Sequence, residues 1–68
     1  SSLLSPKERE VLQLLAGNLS NKQIALAMGV SDETIKWHLR NLFGKLNAGG
    51  RKHLIDRARM LGLLAAAA

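Results

Sequence analysis

Three serines, Ser5, Ser20 and Ser31, each stand just ahead of a stretch with helical hydrophobic spacing, and together they cut the chain into short helices. A serine hydroxyl at that place accepts a hydrogen bond from an N–H that the first helical turn leaves unpaired. After Ser5, Pro6 suits the first helical position, and Glu8 is spaced to reach back to the Ser5 N–H and close a capping box. Ser20 with Gln23 repeats the device, and Asp32 and Glu33 after Ser31 favour the positive end of a helix dipole. Leu19 with Ile24, and Val30 with Ile35, stand where hydrophobic staples pack. Val11, Leu12, Leu14 and Leu15 give the first helix its apolar stripe; Ile24, Ala25 and Met28 do so for the second. Gly17 and Gly29 are expected to end these two helices.

The spacing predicts helices over about 6–16, 21–28, 32–46 and 51–61, with Asn47-Ala48-Gly49-Gly50 as a loop. Only Gly29-Val30-Ser31 separates the second from the longer third, which is a helix-turn-helix pattern. Residues 1–68 therefore read as one all-α, four-helix (tetrahelical) helix-turn-helix domain, with the first two serines and the Ala65–Ala68 run expected to fray. A chain of 68 residues leaves roughly 40% of its extended-chain surface exposed when folded, so the core is small.

Composition excludes several classes. There is no cysteine, hence no disulfide scaffold, thiolate metal site or thiol catalysis. His38 and His53 have no metal-site neighbourhood, and no catalytic constellation or phosphate-binding glycine loop is present. No enzyme activity, metal, cofactor or small-molecule ligand is expected. The longest apolar run is Leu63–Ala68, too short for a membrane, and no signal peptide is apparent. The formal net charge is +5, and it is unevenly placed. Between positions 36 and 52 stand five cations (Lys36, Arg40, Lys45, Arg51, Lys52) and no acid, whereas residues 1–31 carry three cations against two acids. That distribution is the footprint of a polyanion binder.

The third helix places its chemistry. At about 100° per residue, Ile35, Leu39, Leu42, Phe43 and Leu46 share a core stripe. Glu33, Lys36, Trp37, Arg40, Asn41 and Gly44 lie opposite, with Thr34, His38 and Lys45 on one flank. Helical tryptophans usually go to the core, but burying Trp37 would turn Leu39 and Leu42 outward, so Trp37 is expected to face a partner. DNA is one such partner. A helical protein-interaction module docking an acidic protein on the same face is the alternative; membrane-surface binding fits poorly, because no exposed apolar face adjoins the cationic one.

Leu4-Ser5-Pro6-Lys7-Glu8-Arg9-Glu10-Val11-Leu12, Leu19 to Ala25, Ser31 to Leu46 and Arg51 after the glycine loop resemble the C-terminal DNA-binding domain of LuxR/NarL-type bacterial transcription regulators. The resemblance covers about residues 3–64, and Lys36-Trp37-His38-Leu39 with the ending Ala58 to Leu64 resembles the large ATP-dependent regulators of that family. It implies sequence-specific binding of double-stranded DNA in transcription regulation, with the third helix in the major groove. On its pattern, base contacts fall on Lys36, Trp37 and Arg40, and backbone contacts on Asn21, Lys22, Thr34, His38, Asn41 and Lys45. It implies a bacterial, cytoplasmic, nucleoid-associated output domain of a longer regulator, and it allows a contact with RNA polymerase. It also implies a homodimer through the last helix. There Leu54, Ala58 and Leu61, with Ile55 at the edge, are expected inside, and His53, Arg57, Met60 and Leu64 outside as the dimer stripe. Two positions depart from the family pattern: Gly49-Gly50 replaces polar capping residues, and Asn47 replaces a more usual glycine, whose left-handed conformation it can adopt.

Overall fold

The structure, a computed structural model, describes residues 3–65; the expected fraying of 1, 2 and 66–68 lies outside the described residues. The serine caps form as their spacing demands. Ser5 Oγ accepts from Glu8 N–H at 3.2 Å while Glu8 Oε1 accepts from Ser5 N–H at 2.8 Å, and Ser20 with Gln23 repeats both distances. Ser31 Oγ accepts from Thr34 N–H at 3.2 Å. These caps start α1 (Pro6–Ala16), α2 (Asn21–Met28) and α3 (Asp32–Leu46); α4 (Arg51–Met60) starts at Gly50 with no side-chain cap.

All four helices end in one way. A residue with positive φ follows each: Asn18 (φ 69°), Gly29 (φ 70°), Asn47 (φ 52°) and Gly62 (φ 75°). The next N–H then reaches the carbonyl five residues back, from Leu19 to Leu14, Val30 to Ala25, Ala48 to Phe43 and Leu63 to Ala58. This is the Schellman arrangement, which satisfies carbonyls a helix end would leave orphaned. Leu19, Val30, Ala48 and Leu63 thereby turn back onto the core. Gly17, expected to end α1, sits at φ −78° and leaves the reversal to Asn18. The last helix stops at Met60, one residue short of the expected end. Leu61, expected inside, is 51% exposed, and Leu64, expected outside, is partly buried. The wheel fails there because the chain has left helical phase: Gly62 reverses it and carries Leu63 and Leu64 inward.

α3 packs against each of the other helices. Its buried Ile35, Leu39, Leu42 and Leu46 meet Val11, Leu12 and Leu15 of α1, Ile24 and Ala25 of α2, and Leu54 and Ala58 of α4, with Leu4 completing the core. Two arginines tie the frame to backbone. Arg51 Nη2 donates to the Leu19 carbonyl, holding the start of α4 to the α1–α2 turn, and Arg57 Nε donates to the Leu46 carbonyl at the end of α3.

One carboxylate is buried. Glu8, 3% exposed, accepts from Lys45 Nζ at 2.7 Å as well as from Ser5 N–H. Burial alone would raise its pKa; the hydrogen bonds from Lys45 and Ser5 and the ammonium charge outweigh that and hold it below its ordinary value.

Because the folded pKa of Glu8 is lowered, its contribution to stability is fully present above the ordinary value of 4.5 and is lost as pH falls through the folded value. Glu8→Gln keeps an acceptor for the Ser5 N–H and removes the charge that faces Lys45. In urea unfolding at pH 7 it should cost about 1–2 kcal/mol, and the gap to the parent should narrow at pH 3; an equal gap at both pH values would contradict the pair's role. At the α2–α3 turn, nothing within 4 Å would meet a Cβ on Gly29, so the cost of Gly29→Ala is purely conformational. It should be about 1–2 kcal/mol, and smaller for Gly29→Asn in the same unfolding measurement.

Candidate nucleic-acid interface

The same helix that fills the core presents the cationic face. With Ile35, Leu39 and Leu42 pinned inward, Lys36, Trp37 and Arg40 are forced outward, and all three are exposed. Trp37 is 56% exposed, and its ring meets the edge of His38 at 5.1 Å and 63°. Lys36 Nζ lies 3.7 Å from Glu33 Oε1, but both side chains are well exposed, so the pair is weak and easily exchanged for another anion. Arg40 makes no ion pair among the described residues.

Lys36 and Arg40 stand over an open groove of about 330 Å³ whose remaining lining is Asn21, Leu39 and Phe43. Asn21, at the first position of α2, thus meets α3 at the point where both helices face solvent. Its Oδ1 is buried without a hydrogen-bond partner. Lys22, beside it, is exposed. A narrower crevice runs on from Asn21, Leu39 and Phe43 to Leu15 and Arg51.

The flank of α3 is more closely tied in. Thr34 Oγ1 hydrogen-bonds with Ser31 Oγ at 3.0 Å, and Asn41 is half-buried. His38 is half-buried as well, with Nδ1 buried and unpartnered. The expectation that Lys45 faces a phosphate meets a competing use, since its ammonium is held by Glu8 on α1. Sequence spacing could not show that pair, because the two residues are 37 positions apart.

The expected dimer stripe comes apart in the same way. His53 is exposed, with Nδ1 accepting from Gly49 N–H at 3.2 Å, and Met60 is 78% exposed. Arg57, however, is turned to the Leu46 carbonyl, and Leu64 packs on the core. Leu61 takes their place beside Met60 on the surface. No group of three His, Cys, Asp or Glu side chains suited to a metal occurs among the described residues, and no described helix is long and apolar enough to cross a membrane.

The family model described as bacterial regulatory proteins, luxR family (GerE), matches residues 2–58. The nitrate/nitrite response regulator protein NarP of Escherichia coli (strain K12) is 50% identical over 50 residues, which are 74% of this chain and 23% of NarP. The HTH-type transcriptional regulator MalT of Vibrio cholerae is 43% identical over 61 residues, 90% of this chain and 7% of MalT. The chain therefore spans only a small part of these curated relatives. The solved structure of the transcription factor GerE superposes with a TM-score of 0.89 at 37% identity, covering 96% of this chain and 97% of that one.

The exposure of Trp37 has a direct optical consequence. The only tryptophan should emit at the red-shifted wavelength of a solvated indole, and Trp37→Ala should change the unfolding free energy by no more than about 0.5 kcal/mol. Blue-shifted emission, or a loss of several times that size, would instead place the ring in the core.

Proposed function

We propose, for a chain that belongs to the luxR family of bacterial regulatory proteins and is a helix-turn-helix DNA-binding domain of a transcription regulator, that α3 enters the major groove with Lys36, Trp37 and Arg40 against the base edges. The observation that carries this is the groove in which Lys36 and Arg40 share one wall system with Asn21 of α2. An α-helix fits the major groove of B-DNA, and a guanidinium or ammonium there donates to guanine O6 and N7. Trp37 offers no acceptor; it contributes apolar contact to a thymine methyl or packs on the sugar edge. Asn21, Lys22, Thr34, His38 and Asn41 surround this face and supply phosphate contacts, which set register without reading sequence. Lys45 is left out of that set, because withdrawing its ammonium would strand the buried Glu8 carboxylate.

Two domains on adjacent half-sites would touch through the last helix. With Arg57 and Leu64 engaged inside the domain, that contact narrows to His53, Met60 and Leu61. It is small, so pairing is expected on DNA rather than in free solution. This function places the chain in the bacterial cytoplasm, at the nucleoid.

Base and phosphate contacts separate in one experiment. Operators are first selected from random duplexes, and affinity is then measured on selected and random DNA. Arg40→Ala should cost about 1–3 kcal/mol on the selected site and relax its sequence preference. Lys22→Ala should weaken both duplexes alike. Equal losses on both duplexes for Arg40→Ala would remove it from base reading.

A further inference from the structure

Away from the reading face, the α1–α2 turn and the side of α4 enclose an open hollow of about 460 Å³. Asn18, Arg51, Lys52, Asp56 and Arg59 line it, over a floor that includes Ile55. None of its three cations is in an ion pair among the described residues. Arg59 Nε is buried and has no hydrogen-bond partner, so a donor is held in place with nothing to receive its proton. Arg51 spends one N–H on the Leu19 carbonyl, which fixes the guanidinium at the rim and leaves its other donors free.

The hollow is continuous with the interface. Arg51 also lines the crevice beside Asn21, Leu39 and Phe43, and those three residues form the lining shared with the groove under Lys36 and Arg40. A continuous series of hollows thus runs from Lys36 and Arg40 of α3, past Asn21 at the start of α2, to Arg51, Lys52 and Arg59 on the outer side of α4. We propose that Arg51, Lys52 and Arg59 form a second phosphate track, which grips DNA backbone outside the base pairs faced by α3; this rests on the DNA-binding function set out above. Asp56 opposes a phosphate but is outnumbered three to one. Placed four residues after Lys52 and three before Arg59, it shares their helix face without pairing with either among the described residues. Continuity with the α3 groove favours the nucleic-acid backbone over an acidic protein segment.

The test uses two duplexes with the same selected site. One ends at the base pairs covered by α3, and the other extends by about one helical turn (~10 base pairs) on each side. On the extended duplex, Lys52→Ala and Arg59→Ala should each lower the slope of log affinity against log salt by about 0.9. That is about a three- to fourfold loss of binding at 50 mM salt relative to 200 mM for each variant. Selected and random extended duplexes should be affected alike, Arg59→Lys should keep the parent slope, and neither alanine variant should alter binding to the short duplex. Lys52 is exposed, so its variant guards against a folding artefact at Arg59. Parent-like slopes on the extended duplex would overturn the track. If those variants then lost binding to polyglutamate, the hollow would be a docking site for an acidic protein. Equal losses on both duplex lengths would also overturn it, by moving the two residues onto the α3 contacts. Failure of the parent to bind any duplex would bring down the DNA function itself, which is a separate and visible result.

Discussion

Each helix here ends on a left-handed residue followed by an apolar one, and the placement of everything else follows from that reversal. Asn18, Gly29, Asn47 and Gly62 hold positive φ, and Leu19, Val30, Ala48 and Leu63 are drawn onto the core behind them. A domain of this size cannot afford helix ends that splay, because its small core must be covered by turns as well as by helix faces. At the α2–α3 junction the reversal takes only Gly29 and Val30 before Ser31 caps the next helix. The start of α2 and the outer face of α3 are thereby left side by side, with Asn21, Lys36 and Arg40 around one groove.

α3, like α1, packs against all the other helices, and its contacts with α1 and α2 are the most extensive in the domain. Its buried side is the centre of the core, so its rotation about its own axis is fixed by Ile35, Leu39, Leu42 and Leu46 together. No rotation that exposed fewer cations is open to it without pulling a leucine into water, at a cost of about 2 kcal/mol or more for a full side chain. The exposure of Trp37 is thus a by-product of core packing. A solvated indole on a basic face gains nothing in the free domain and gains contact area when a partner covers it.

Much of this was legible because the informative relations are local. Caps span three residues, helix stripes three and four, and the left-handed turn at Asn47 follows from its side chain's tolerance of that conformation. The four helices, the inward stripe of α3 and the outward Lys36, Trp37 and Arg40 all rest on such relations. What escaped is non-local or lies past a helix end. The partner of Lys45 is 37 residues away, Arg57 finds a carbonyl 11 residues back, and Arg51 reaches across 32. A helical wheel extended beyond Met60 misplaces Leu61 and Leu64, because Gly62 resets the direction of the chain there. Arg59 escaped for a different reason: a lone arginine on a helix gives no sign that its Nε will be enclosed beside Arg51 and Lys52.

The charges show how stability and binding divide between the two sides of the molecule. The one buried carboxylate, Glu8, is matched by Lys45, and that match secures α1 to α3. Arg40, Lys22 and the cations around the α4 hollow have no such match among the described residues. Like charges left unpaired in a net +5 domain repel, which lowers the stability of the free fold. A polyanion removes that repulsion and, by binding only the folded chain, adds its own binding free energy to folding. A single charge type therefore serves two ends: where it meets an internal partner it holds helices together, and where it meets none it repels its neighbours until a polyanion covers it.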